Sequence, residues 1–333
     1  MNDKKLNGIL LSICILTYNQ PKEIRALLES LRSQITQEIM DEIEILVRDD
    51  SPDSETEKIV KEYSTKTPID YFKGEKLGID KAILFLTEKA KGKYIWWIGD
   101  DEVDKGGIER VLTTVKKFPN ISFILVNFRN FNRNEAAFQF GNDRFFKDNN
   151  EVLGKAANVL GFISITILKR EMALSGIEPS KKYIGSEFVN LYLIFHVLSQ
   201  KGRIYFLSKP YIIDHLKEHG EDVFYRGFQV FGVNFFNIAQ EFKDKFEGKS
   251  VRKMLAKNFS HIWRGALVNQ ARGQNVKIGF SSPIFKPICK LYWSFPEFWL
   301  ALPFLIMPRF INRFFYKIYK LFFSHRKWRF GKK

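Results

Sequence analysis

Tyr94-Ile95-Trp96-Trp97-Ile98, followed at once by Gly99-Asp100-Asp101-Glu102, is the stretch whose reading decides the fold. A run of five aromatic and β-branched residues has the length and chemistry of a buried strand, and turn chemistry stands directly behind it. Such a strand delivers three adjacent acids to its C-terminal edge, where open α/β sheets hold their ligands. Three neighbouring carboxylates repel one another, so they either face water as a solvated turn or share a counter-charge. A divalent cation, Mg2+ or Mn2+, meets the second need, because hard ions take oxygen ligands and share them with substrate phosphates.

Strand and helix patterns alternate around this stretch. Residues 9–16 read as a strand that enters the turn Thr17-Tyr18-Asn19-Gln20-Pro21. Pro21–Arg32 carries apolar residues at Ile24, Leu27, Leu28 and Leu31, a helical stripe with proline at its start. Residues 44–47 form a second strand, ending in Arg48-Asp49-Asp50-Ser51-Pro52-Asp53. Ser54 and Glu57 have the spacing of a capping box for a helix reaching Tyr63. A short strand at 69–72, a helix over Ile79–Lys89, a helix over Gly107–Lys117 and a strand at 123–126 complete the alternation. Short loops between such elements predict a mostly parallel α/β sheet flanked by helices. No Gly-x-Gly-x-x-Gly follows the first strand and no P-loop is present, which argues against a dinucleotide fold or a P-loop NTPase. Residues 127–150 are polar, rich in Phe, Asn and Arg, and nearly aperiodic, so they read as a long loop. Further on, 162–168 and 204–207 are strand-like. A helix is expected to open at Ile184-Gly185-Ser186-Glu187 and run to Leu198, and helical patterns fill 223–242 and 252–269.

Five stretches in this order resemble the motifs of family 2 glycosyltransferases with the GT-A fold. They are Ser12-Ile13-Cys14-Ile15-Leu16-Thr17-Tyr18-Asn19, Val47-Arg48-Asp49-Asp50-Ser51, Lys76-Leu77-Gly78-Ile79-Asp80-Lys81-Ala82, Gly92-Lys93-Tyr94-Ile95 and Asp100-Asp101-Glu102. The resemblance is strong over 9–127 and weaker over 128–215. It implies transfer of a sugar from a nucleotide-sugar donor with inversion at the anomeric carbon. On that basis Thr17, Tyr18 and Asn19 would edge the nucleotide pocket, with Tyr18 against the base, and Asp50 would accept a hydrogen bond from the base. Lys81 would stand near the diphosphate, Asp100 would face the ribose, and Asp101 with Glu102 would hold the metal. Glu102 departs from the pattern, since many members carry Asp or Asn there. The family's general base is an acid some eighty to a hundred residues beyond the metal motif. Glu187, 86 residues after Asp101, fits that place, and Asp214 is the second choice. Each residue also has a plainer reading, as a turn residue, a helix-start acid or a solvated charge. His215 and His219 have the i, i+4 spacing of a metal pair, and more simply of two loop residues.

Charge is distributed unevenly. After residue 250 there are 17 Lys and Arg against one acid, Glu297, while residues 1–250 hold 36 of each sign. All of the net +16 therefore lies in the last quarter, and a basic tail on a neutral body points to an anionic partner for the tail. Residues 291–307 are apolar but broken by Pro296, Glu297 and Pro303, too short a run to span a bilayer. Beyond them Arg309, Arg313, Lys317, Lys320 and Lys327 share an arc of about 80° at about 100° per residue. Phe310, Ile311, Phe314, Phe315, Ile318, Leu321 and Phe322 take the opposite arc. An amphipathic helix of this kind suits an anionic membrane interface; packing on the catalytic domain is the alternative. Nucleic acid is disfavoured, because the aromatics group on one face instead of interleaving with the cations.

Two distant cysteines, Cys14 and Cys289, form no disulfide framework or zinc spacing and fit a reducing setting. Lys4, Lys5 and the apolar run 9–16 imitate a signal peptide, but the run is short and lacks a cleavage site. The expectation is thus a catalytic domain over 1–220, with 9–127 for the nucleotide-sugar and 128–220 for the acceptor. A helical extension (221–275) and a basic membrane-associating tail (276–333) would follow. The expected partners are a nucleotide-sugar, a lipid-linked or glycan acceptor and the cytoplasmic face of a cell membrane. A nucleotidyltransferase on a similar sheet would want a Gly-rich phosphate loop near the first strand. A non-enzymatic membrane-binding module would leave the acids unexplained.

Overall fold

Seven consecutive buried residues, Leu11–Thr17, form strand β1, paired in parallel on one edge with β2 (Ile43–Asp49) and on the other with β4 (Tyr94–Ile98). A computed structural model of the chain describes residues 8–65, 67–131, 135–156, 159–215, 227–271, 282–307, 310–312 and 314. The described chain separates into two compact units, one from residues 8–149 and 160–215, the other from 150–159 and 227–314.

The first unit is a sheet in the order β3-β2-β1-β4-β8-β6-β9-β5, with β7 paired to β9. Here β3 is Ile69–Lys73, β5 Glu102–Val103, β6 Ile121–Asn130, β7 Arg144–Phe145, β8 Thr166–Lys169 and β9 Arg203–Asp214. Strands β1 to β4 run parallel. From β8 onward the sheet is mixed: β8 is antiparallel to both β4 and β6, and β6 and β9 are parallel to each other. Because β2 and β4 leave β1 on opposite sides, the strand order reverses between β1 and β4. The C-terminal ends of strands at such a reversal are the usual ligand position in an open α/β sheet.

Local pattern places most of the helices. Helix α1 (Pro21–Arg32) buries Ile24, Leu27, Leu28 and Leu31, and α3 (Ile79–Lys89) and α4 (Gly107–Lys117) have the expected bounds. At α2 (Glu55–Ser64) the expected capping box is absent: Ser54 makes no side-chain cap bond. Asp53 Oδ1 accepts from Glu55 N instead (2.9 Å), and Glu57 turns to Lys61 (2.6 Å). Strand β4 is wholly buried, and each of its polar aromatic tips is satisfied. Trp96 Nε1 donates to the Ser164 carbonyl (2.7 Å), Trp97 Nε1 to Thr87 Oγ1 (3.2 Å) and Tyr94 OH to the Ile121 carbonyl (3.0 Å).

The reading of 127–150 as a long loop needs correction. β6 runs on to Asn130, β7 lies within the segment, and Phe138 and Phe146 are buried. Asn127 ties the segment down: its Nδ2 donates to the carbonyls of Phe138 (2.9 Å) and Ser208 (2.8 Å), and its Oδ1 accepts from Phe138 N (2.9 Å). Two further elements shift. The strand expected from 162 begins at Thr166 after a 3-10 turn at Ile163–Ile165. The helix expected from Ile184 begins only at Val189, as α5 (Val189–Leu198).

The second unit is helical. A π-helical segment, Phe228–Asn234, runs into Phe235–Glu241, and Gly248–Ala271, Phe285–Tyr292 and Pro296–Ile306 follow. Its core stacks Phe259 on Tyr292 at 4.4 Å, with the Tyr292 hydroxyl donating to the Gly232 carbonyl (2.9 Å). Trp293, Trp299, Leu300, Ile306, Phe310 and Phe314 are exposed. No helix among the described residues is long and apolar enough to cross a membrane. His219 and the stripe residues Arg309, Arg313, Lys317, Lys320 and Lys327, with Phe315, Ile318, Leu321 and Phe322, lie outside the described residues.

Candidate active site

The C-terminal ends of β1, β2 and β4 bring most of the expected site residues to one edge. β1 and β2 are tied there by Asp50 N donating to the Thr17 carbonyl (3.1 Å). The hydroxyl of Thr17 is buried without a hydrogen-bond partner. Tyr18 is 42% exposed, and the Lys76 ammonium lies 3.7 Å from its ring centroid, a cation–π distance. Asn19 takes a left-handed conformation (φ 53°), which Asn tolerates better than most residues, and its N–H donates to Ser51 Oγ (2.9 Å).

Asp50 is buried, and its oxygens are engaged within the chain. Oδ1 accepts from Arg48 Nε (2.8 Å), while Oδ2 accepts from Leu77 N (2.9 Å) and Gly78 N (2.8 Å). Arg48 Nη2 also donates to the Glu75 carbonyl (2.6 Å). The buried Arg48–Asp50 pair thus fixes the 75–78 loop, which needs glycine at Gly78 because φ is 76° there. Lys81 is exposed in the first turn of α3, whereas its neighbour Asp80 is 4% exposed.

Behind β4, Asp100 Oδ2 accepts from Gln20 Nε2 (2.9 Å), a contact between the turns after β1 and β4. Asp101 is 4% exposed and accepts from Ser164 Oγ (2.5 Å). Burial pushes its carboxyl up to about 8; the Ser164 hydrogen bond opposes this, and the like charges of Asp100 and Asp214 add to it. An acid held in this state gains most from a cation. Glu102, on β5, has a different partner: His215 Nε2 lies 2.6 Å from its Oε1, an ion-pair distance without the angles of a hydrogen bond. Among the described residues no three His, Cys, Asp or Glu side chains group as a metal cage. The donor set fits an ion carried by one or two carboxylates and completed by substrate phosphate and water, as is common for Mg2+. Asp101 is the residue that would hold it; Glu102, expected to share it, lies against His215 instead.

Glu187 precedes α5 and is held at φ 61°, after Gly185 at φ 94°. A non-glycine residue in this region stores strain and is a pointer to function. Its N–H donates to Asp80 Oδ2 (2.9 Å), as does that of Gly185 (2.8 Å), and Val189 N donates to Asp80 Oδ1 (3.0 Å). Burial raises the Asp80 carboxyl above its ordinary range, against these backbone hydrogen bonds. Asp214 ends β9, where its carbonyl accepts from Phe131 N (2.9 Å). Sequence reasoning missed Gln20, Arg48, Asp80 and Ser164. Arg48 and Asp80 lay inside quoted motifs without a role; Ser164 sits in an apolar run with no local signal.

Known proteins place this arrangement. Residues 12–172 match the family model described as glycosyl transferase family 2. Abequosyltransferase RfbV of Salmonella typhimurium is 26% identical over 226 residues, 62% of this chain and 66% of that protein. An uncharacterized glycosyltransferase of Haemophilus influenzae is 31% identical over 119 residues, 34% of this chain and 37% of that one. The chain therefore spans about two thirds of the first relative and little more than a third of the second. Among solved structures, S. aureus TarS 1–349 in complex with UDP-GlcNAc superposes with a TM-score of 0.63 at 17% identity, over 90% of this chain and 84% of that one. TarS 1–349 alone gives 0.61 at 18%. At such identities the likeness speaks for the fold. Residues 12–172, just under half of the chain, therefore carry a glycosyl transferase family 2 domain of the GT-A fold, the mark of a transferase enzyme.

Proposed function

We propose that this chain is an inverting glycosyltransferase that moves a sugar from a nucleotide-diphosphate donor, a UDP-sugar, to a hydroxyl of a lipid-linked or polysaccharide acceptor in bacterial surface polysaccharide synthesis. The observation that carries the reading is the buried Asp101, held by Ser164 beside Asp100 at the switch point of the sheet. An abequosyltransferase among the relatives and a neighbouring fold in complex with UDP-GlcNAc support the donor class.

In this mechanism Thr17, Tyr18 and Asn19 edge the nucleotide pocket, with the exposed Tyr18 ring available to stack the base. Asp50 shapes the base pocket by fixing the 75–78 loop, its oxygens being engaged by Arg48, Leu77 and Gly78. Asp100, oriented by Gln20, faces the ribose. Asp101, held by Ser164, would carry Mg2+ or Mn2+, which when bound neutralises charge developing on the leaving diphosphate. Lys81 adds a cation near the same phosphates. Glu187 takes the proton of the acceptor hydroxyl, a poor nucleophile until deprotonated.

We place the enzyme on the cytoplasmic face of the membrane as a peripheral protein. The excess of 17 cations over one acid after residue 250 supports this, as do the exposed Trp293 and Trp299, since tryptophan favours the membrane–water interface. The test of function is a panel of nucleotide-sugars incubated with purified protein and Mn2+. Nucleoside diphosphate release from one donor, and an inverted anomeric centre in the product by NMR, are expected. Release from none, with Mn2+ or Mg2+ and with a membrane lipid extract as acceptor, would reject the reading.

A further inference from the structure

A carboxylate in the first turn of a helix usually faces water, yet Asp80 is 4% exposed, and removing it from solvent demands compensating donors. It finds three, all backbone N–H groups of one short segment: Gly185 and Glu187 on Oδ2, Val189 on Oδ1. These donors alternate along the chain, and the two left-handed residues, Gly185 and Glu187, are among them. Such reversals of backbone hand make a concavity of N–H groups that binds anions. Here the chain's own carboxylate fills it. The same carboxylate lies at the N-terminal ends of two helices, α3 and α5, neither of which has a side-chain cap from its own N-cap residue. Both helix ends favour the negative charge.

We propose that Asp80 is a positioning residue: by filling the cradle formed by the N–H groups of Gly185, Glu187 and Val189, it holds Glu187 in the left-handed conformation from which its carboxylate serves the acceptor hydroxyl. The inference rests on Glu187 being the general base. Glutamate does not keep φ 61° without compensation, and the cradle supplies it 107 residues away in sequence. Asp80 touches neither donor nor acceptor in this role and acts through the loop alone.

The test is a cycle of Asp80→Asn, Glu187→Gln and the double variant in the full chain. UDP serves as binding probe and hydrolysis of UDP-N-acetylglucosamine, with water as acceptor, as turnover probe. Asparagine keeps one acceptor oxygen but turns an NH2 group against the remaining donors. Asp80→Asn should lower kcat by about 10²-fold, the scale of a misplacement near 1 Å, with UDP affinity within about twofold of wild type. In the Glu187→Gln background it should cost nothing further. Amide exchange over residues 183–190 should accelerate in Asp80→Asn and not in Glu187→Gln. Gly185→Ala is the second variant: a Cβ there meets open space, but φ is 94°, so it strains the cradle without touching the core. It should show the same loss in kcat alone. Wild-type turnover or unchanged exchange in Asp80→Asn, with Glu187→Gln inactive, overturns the inference and leaves the base assignment standing. Multiplicative losses in the double variant also overturn it. Full activity of Glu187→Gln overturns the base assignment, and this inference with it.

Discussion

Asp101→Asn separates what the site costs the fold from what it gives to function. An ordinary aspartate titrates at 3.8, and in the folded chain Asp101 is pushed up to about 8. Between these values the native state keeps a proton that the unfolded state releases. The contribution of this one group to stability is therefore fully present below about pH 4, declines as pH rises, and is gone by about pH 8. At about 1.4 kcal/mol per pH unit the interval amounts to something on the order of 5 kcal/mol. Asparagine keeps an acceptor for Ser164 and removes the titration. In EDTA the variant and the wild type should melt together near pH 4 and diverge as pH rises, the variant melting several degrees higher at pH 8. Mn2+ with UDP should then reverse the order, because a ligand stabilises only a protein that binds it. Differential scanning fluorimetry across pH 4 to 9 reads both effects. Parallel melting profiles in EDTA would refute the burial argument; equal gains with Mn2+ and UDP would remove Asp101 from the metal site.

Glu187→Gln should reduce kcat by about 10²-fold or more with UDP affinity nearly unchanged; normal turnover in it, together with an inactive Asp214→Asn, would move the base to Asp214. Asp50→Ala leaves the buried Arg48 unpaired and should cost about 3–5 kcal/mol, with loss of UDP binding as the 75–78 loop loosens. Intact UDP binding by calorimetry would show that this loop is not part of the pocket. Changing Trp293 and Trp299 together to Ser should release the protein from anionic vesicles in a sedimentation assay while UDP binding persists, and unchanged sedimentation would move the attachment to the basic stripe.

Elements set by local period were legible. The stripe of Ile24, Leu27, Leu28 and Leu31 and the run Tyr94–Ile98 carry their own pattern, and the structure keeps both. Residues 127–150 lack a period because their order comes from elsewhere: the side chain of Asn127 reaches Ser208, 81 residues on. The capping box at Ser54 failed for a local reason. Asp53, one residue earlier, supplies an equivalent acceptor, and Glu57 has lysines within reach. At the site, ordered motifs revealed which acids matter but not how they are held. Nothing local distinguishes Asp80 from Lys81 as the inward residue of a first helical turn. The choice is made by backbone donors from the distant segment around Glu187.

The order of the sheet explains why these costs gather at one edge. β1 and β4 are buried throughout and paired on both sides, so their C-terminal ends are fixed by the core. A site on such ends can hold groups that would otherwise relax: a buried acid at Asp101, a left-handed Glu187, an ion pair taken out of water at Arg48 and Asp50. Each is anchored to a residue remote in sequence, Ser164 for Asp101, Asp80 for Glu187, and the Leu77 and Gly78 amides for Asp50. Three independent anchors mean that a fault in one should disturb its own function and spare the others. Loss of Ser164 should therefore weaken metal-dependent nucleotide binding while the amide protection of the Glu187 loop persists, and loss of Asp80 should do the reverse.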